Sequence, residues 1–171
     1  TVFDEGDIPS DLTEANQALI KDVLKGSPNK IELFVLGADN EISEALTYFE
    51  GVEFNLMCMP QAESGDTTAI KAFIKKMNDV VKYKCDAILA NDKADSEAII
   101  NYTADDIVVG GKSVTTANHT ARMAGLIEGT PLHQSITFAT LSDVDSIENL
   151  TKEEADSRID AGELILVREM G

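Results

Sequence analysis

Apolar residues recur along this chain with two alternating periods, and the alternation itself points to a fold class. Between Ser10 and Leu24, the residues Leu12, Ala15, Leu19, Ile20 and Val23 fall near the 3.6-residue spacing of one helix face, and Gly26-Ser27-Pro28 stops the run. Lys30–Leu36 is an apolar run of strand length, which predicts a buried strand. A short helix over Asn40–Phe49 follows, capped by Asp39 or Asn40, and then a second strand over Val52–Met59 ended by Pro60. The longest helix is expected over Asp66–Tyr83, with Ile70, Phe73, Ile74, Met77, Val80 and Val81 on one face. Beyond it the pattern predicts a strand over Cys85–Ala90, a short helix over Asp95–Asn101, a strand over Ile107–Val109 and a helix over Ser113–Ile127. A strand over Ser135–Leu141 and a helix over Thr151–Ala161 come next, the helix opening with the capping-box spacing Thr151-x-x-Glu154. Leu164–Val167 closes as a strand. Repeated βα alternation of this kind predicts an α/β layered sandwich, a largely parallel or mixed sheet flanked by helices. Strand order does not follow from it.

Length and charge narrow the function classes. The 171 residues suit one domain over 1–171, with Ser142–Asn149 as the weakest candidate boundary. Lys plus Arg number 14 against 31 Asp plus Glu, a formal net charge of −17. That balance argues against a nucleic-acid partner and against an anionic membrane surface. It favours basic or locally neutral partner faces. No apolar run reaches the roughly 18 residues of a membrane span. The chain opens without Met, and Leu164–Arg168 looks like a strand that stops abruptly, so an excised segment of a longer protein is the expectation.

Each candidate for chemistry has an ordinary structural reading. Gln61–Thr68 joins a strand to a helix, where backbone N–H groups can hold an anion, but it lacks the second Gly and the Lys of a P-loop. Asp39, Glu41, Asp92 and Asp95 follow strand ends and could hold Mg²⁺, yet Asp and Asn are ordinary helix caps. His119 and His133 lack the close ligand spacing of a zinc site and are expected to be structural. Cys58 and Cys85 sit in apolar runs and read as buried, reduced thiols. Sequons at Asn101, Asn118 and Asn149 carry no message without a secretion signal. Asp143–Glu154 reads as a solvated acidic surface. An α/β enzyme or a small-ligand or Mg²⁺-binding domain, using the strand ends near Asp39, Ser64–Thr68 and Asp92, is the alternative these residues leave open.

The least chemical segment is the most specific. On a helix, Ala117, Ala121, Ala124 and Gly125 fall at i, i+4, i+7 and i+8, a stripe of small residues that lets another backbone come close. Gly129 suits a left-handed C′ position with Pro131 beyond it. The letters Ala121-x-x-Ala124-Gly125-Leu126-Ile127-x-Gly129-Thr130-Pro131, continuing into Ser135-x-Thr137-Phe138, resemble the core segment of contractile phage tail sheath proteins. A second match follows, from Leu150-Thr151 through Ala161-Gly162 to Val167. The resemblance covers residues 10–168 and is specific over 117–167.

It implies a structural subunit with no catalytic residue and no cofactor, its motif carried by Ala121, Ala124, Gly125, Gly129, Thr130, Pro131, Ser135, Thr137, Ala161 and Gly162. It further implies self-association in sixfold rings around a tail tube protein, with baseplate and tail terminator proteins as further partners. The location implied is the virion tail, assembled in the host cytoplasm. The terminal arms that such subunits exchange are expected outside this chain.

Overall fold

The computed structural model describes residues 1–37 and 41–168. Four strands form one parallel sheet: β1 (Leu56–Cys58), β2 (Asp86–Ala90), β3 (Ile99–Thr103) and β7 (Glu163–Ile165), in the order β1-β2-β3-β7. The α/β expectation holds, and so does the largely parallel sheet. A smaller antiparallel sheet, β5-β4-β6, is built from β4 (Val108–Val109), β5 (Lys112–Ser113) and β6 (Val144–Ser146). Gly110 and Gly111 join β4 to β5 with φ of 57° and 72°, the two left-handed residues that a tight hairpin requires.

Alternate residues of the central strands feed two cores, as a sheet covered on both faces demands. On one face Met57, Ala87, Leu89 and Ile99 meet Ile70, Phe73 and Ile74 of α3 (Ser64–Lys76). On the other face Ile88 and Tyr102 meet Met123 and Ala124 of α4 (Thr116–Gly129), with Ala104 and Ile107 beside them. Helix α1 (Glu14–Leu24) packs along α4, and α2 (Ile42–Phe49) packs on α3. Helix α5 (Lys152–Asp160) leads into β7, and Thr151 and Glu154 close the capping box that their spacing predicted.

Several expectations fail for physical reasons. Asp95–Asn101 is not a helix. Ile99, Ile100, Tyr102 and Thr103 are β-branched or aromatic and find β2 and β7 on either side, so they form a central strand. Ser135–Leu141 is not a strand either. Among the described residues no strand pairs with it; Ala139 N donates to Ile136 O at 2.9 Å in a turn, and Phe138 takes a φ of 65°.

Lys30–Leu36 forms no ladder, only an isolated antiparallel bridge between Ile31 and Val2. A cleft of about 620 Å³ is lined by residues of this segment, Leu33 and Phe34 among them, and by Leu56 and Met57 of β1. The long helix also ends early. A π turn over Met77–Val81 widens the spiral and shifts its phase, so Val80 and Val81 swing outward and are 73% and 51% exposed.

The acidic stretch Asp143–Glu154 is not merely solvated. Arg122 and Lys25 hold Asp143, Asp145 accepts from Gly111 N at 2.8 Å, and Glu148 takes a two-pronged bond from Arg158 at 2.7 and 2.9 Å. Leu141, Val144 and Ile147 pack on the second core. The helix caps expected at Asp39 and Asn40 lie outside the described residues, and Glu41 occupies the N-cap position of α2.

Candidate functional site

The α4 part of the motif, Ala121, Ala124, Gly125 and Gly129, lies where α1 packs on α4. Ala121 and Ala124 are 1% and 6% exposed. A methyl group on Gly125 would lie 2.0 Å from Val23 O, and one on Gly129 would lie 1.6 Å from Gly26 O. One on Gly26 would in turn meet the Gly125 carbonyl at 2.0 Å. Backbone therefore packs on backbone here. The small stripe is needed for the close approach that its spacing suggested, and the visitor is the end of α1.

Gly129 is accordingly the last residue of α4 and lies outside the left-handed region, contrary to its expected C′ role. Thr130 ends the helix instead, in extended conformation, its Oγ1 donating to Leu126 O at 2.6 Å. The left-handed C′ glycine occurs at the other half of the motif. Ala161 is the C-cap of α5, and Gly162 follows with a φ of 78° and its N–H donating to Ile159 O at 2.9 Å. We expect Gly162→Ala to cost about 1 kcal/mol in a urea titration through backbone strain alone. No atom outside its immediate chain neighbours lies within 4 Å of the added methyl.

Past Pro131 the chain turns outward. Leu132 and Phe138 are 107% and 93% exposed. Ser135 Oγ accepts from Thr137 N at 3.1 Å, and both side chains stay on the surface. The rigid helix crossing is thus followed directly by a displayed loop with two bare apolar side chains.

A buried polar network braces the same crossing. His119 is 3% exposed, and its Nδ1 lies 2.7 Å from Tyr102 Oη in a hydrogen bond. Burial lowers the His119 pKa to about 4, so the ring is neutral near pH 7. Arg122, 8% exposed, donates to Asp143 from Nε at 3.1 Å and from Nη2 at 3.2 Å. Lys25 reaches the same carboxylate at 3.1 Å. Burial works against the charge on Asp143, but hydrogen bonds from Arg122 and Lys25 outweigh it and hold its pKa at about 2. His119 Nε2 and Arg122 Nη1 are buried with no hydrogen-bond partner among the described residues.

Among the described residues, the candidates for chemistry form no metal-holding group. Asp39 lies outside the described residues. Asp92 is clamped by Lys71 Nζ at 2.8 and 2.9 Å, and Asp66 caps α3 by accepting from Glu63 N at 3.0 Å. Among the described residues no three His, Cys, Asp or Glu side chains are grouped to hold a metal ion. His133 is exposed on the loop after Pro131. Cys58 and Cys85 are free thiols, Cys85 buried and Cys58 half-buried, and burial pushes Cys58 up to about 11. Among the described residues no helix is long and apolar enough to cross a membrane.

Residues 37–171 match the family model of the phage tail sheath protein central domain. The chain belongs to the phage tail sheath family. It is 41% identical over 175 residues to a tail sheath protein of Clostridium phage phiCD119, a match covering 98% of this chain and 49% of that protein. The chain thus spans about half the length of that curated relative. The fold is that of a sheath tail protein from Desulfitobacterium hafniense, with a TM-score of 0.70, 22% identity, and coverage of 82% of this chain and 37% of the other. A chain of the anti-feeding prophage baseplate shares it with a TM-score of 0.64, 15% identity, and coverage of 97% of this chain and 49% of the other. The polar bracing of α4 carried no sequence signal. A lone His and Arg on a helix read as ordinary until Tyr102 and Asp143 are brought beside them.

Proposed function

We propose that the full-length protein is the structural subunit of a contractile tail sheath, polymerising around a tail tube and shortening to drive injection. Membership of the sheath family carries this reading. In it, residues 1–171 form the core α/β domain, and the exchanged arms belong to other parts of the subunit. Copies associate in sixfold rings, and the tube, baseplate and tail terminator proteins are the further partners. The site of action is the virion tail, after assembly in the bacterial cytoplasm. No residue has a catalytic role. The energy of contraction resides in two alternative packings of rigid subunits, and head-to-tail contacts between them generate the rings and the helical array.

Two observations support a rigid core that displays contacts. Backbone-to-backbone packing at Gly26, Gly125 and Gly129 locks α1 on α4. Leu132 and Phe138 then stand exposed immediately beyond that lock, as contact residues would. Negative-stain microscopy of the purified full-length protein is expected to show tubes or rings with sixfold symmetry. A monodisperse monomer that binds nucleotide or Mg²⁺ tightly would overturn the proposal.

A further inference from the structure

The lysines of this acidic chain are unevenly placed. Residues 71–84 carry Lys71, Lys75, Lys76, Lys82 and Lys84 against one acid, Asp79, while the chain as a whole stands at −17. Lys71 is held by Asp92, and Lys76 by Glu50. Among the described residues no ion pair engages Lys75, Lys82 or Lys84, and all three are exposed. Asp86 feels the charge of Lys84 without bridging it. Elsewhere most cations are already taken: Lys25, Lys30, Lys93, Arg122, Lys152 and Arg158 each bridge a carboxylate of the same chain. Among the described residues, unpaired positive charge therefore concentrates at the end of α3 and just beyond it.

The π turn over Met77–Val81 sets two apolar side chains among these lysines. Val80 and Val81 swing outward there, and Lys82 ends the turn in the left-handed conformation, with a φ of 65°. An apolar centre with a charged rim is the build of a contact surface. The first twenty residues have the same build with the opposite sign. They hold Asp4, Glu5, Asp7, Asp11 and Glu14, with no Lys, Arg or His. Phe3, 62% exposed, stands beside the short helical turn Glu5–Asp7. Neither surface covers the other within one copy, because Phe3, Val80 and Val81 are all left exposed.

We propose that the Val80–Val81 patch docks on the Phe3 segment of a second copy of the full-length subunit. The inference rests on the sheath reading. Two copies of a chain at −17 repel each other, so a contact between them must set plus against minus locally. Both halves of such a contact lie on this chain. The valines and the phenylalanine exclude water at its centre, and Lys75, Lys82 and Lys84 face Glu5, Asp11 and Glu14 around them. The halves are different surfaces, so the contact is head-to-tail, the kind that builds rings and helical arrays. Three apolar side chains make a small contact, weak alone and effective when every copy repeats it. A nucleic acid or an anionic membrane would meet the acidic remainder of the chain.

The test uses the full-length subunit and reads the lowest concentration at which it assembles. Reversing the basic side with Lys82→Glu and Lys84→Glu is expected to raise that concentration at least about tenfold, as is reversing the acidic side with Glu5→Lys and Asp11→Lys. All four substitutions together restore opposite signs across the contact, so assembly is expected to recover to within about threefold of wild type. A merely structural role would not recover in this way. Val81→Ser should weaken assembly too, while the melting temperature of the unassembled subunit moves by no more than about 2 °C, as at any exposed position. In tubes mixed from heavy- and light-isotope subunits, a photo-crosslinking residue in place of Val80 is expected to join a heavy chain to a light one at the peptide carrying Phe3. Wild-type tubes with unchanged assembly in both reversed variants, or with no recovery in the combined one, would overturn the contact and leave the sheath reading standing. Cross-links confined to single chains, or weakening seen only when tube protein is present, would overturn the choice of a second copy. Absence of wild-type tubes would overturn the sheath reading, and this contact with it.

Discussion

Gly129→Ala is expected to lower the thermal midpoint by roughly 10 °C. The added methyl would sit 1.6 Å from Gly26 O and 2.5 Å from Gly26 C. Both are backbone atoms, so no side chain can rotate away, and either α4 or the end of α1 must move. Overpacking in a tight core costs typically 1–3 kcal/mol, and a backbone clash belongs at or above the top of that range. A loss of about 3 kcal/mol is a large part of the 5–15 kcal/mol that holds a domain of this size, and each kcal/mol moves its midpoint by about 2–4 °C. Helix propensity works in the opposite direction, since Ala is favoured over Gly by about 1 kcal/mol.

The control is Gly65→Ala in the first turn of α3, where nothing lies within 4 Å of the new methyl. It should leave the midpoint unchanged or slightly raised. Differential scanning calorimetry of both variants settles the matter. Equal midpoints for the two would mean that α1 does not press on α4 in solution.

That crossing also marks how far the sequence could be read. The stripe Ala117, Ala121, Ala124 and Gly125 announced a close approach on α4, because spacing at i, i+4, i+7 and i+8 is a local property of one helix. It could not name the approaching segment. Gly26 lies a hundred residues earlier in the chain and reads locally as nothing more than a helix stop. The same limit explains Gly129. A Gly-Thr-Pro ending fits a left-handed cap by local rules, but the tertiary contact with Gly26 decides its role. Gly162 shows the local rule succeeding where no such contact intervenes.

The strands follow the same division. Cys85–Ala90 was legible as a buried apolar run, and it is the central β2. Asp95–Asn101 reads locally as a short helix, and only the two strand neighbours of Ile99–Thr103 make that segment β3. Ser135–Leu141 alternates correctly for a strand, yet alternation alone supplies no partner. The acidic stretch was misjudged because its partners, Lys25, Gly111, Arg122 and Arg158, are mostly distant in sequence.

The buried imidazole gives the domain an acid-sensitive core. His119 is held neutral by burial, with Tyr102 on Nδ1 and, among the described residues, no partner on Nε2. Its folded pKa is about 4, below the ordinary 6.5, so between these values the unfolded chain takes up a proton that the folded chain refuses. Stability therefore rises with pH across that window and is lost as pH falls through it. The shift corresponds to roughly 3 kcal/mol over the whole span. Arg122 adds to the cost of a charged ring, and Asp143 offsets part of it.

Asp143 acts in a separate, lower window. Its folded pKa of about 2 preserves stability above the ordinary carboxylate range and releases it only as pH falls from about 4 toward 2. Urea titrations from pH 7 down to about 5.5 thus weight the histidine, because Glu32 and Glu154, held low in the fold, release stability at lower pH. The wild-type domain should lose stability steadily across them. His119→Gln keeps a hydrogen-bonding group beside Tyr102 but cannot take up a proton, so it should start lower at pH 7 and stay nearly flat. A variant that keeps the full wild-type slope would show that the acid sensitivity comes from somewhere other than the Tyr102–His119 pair.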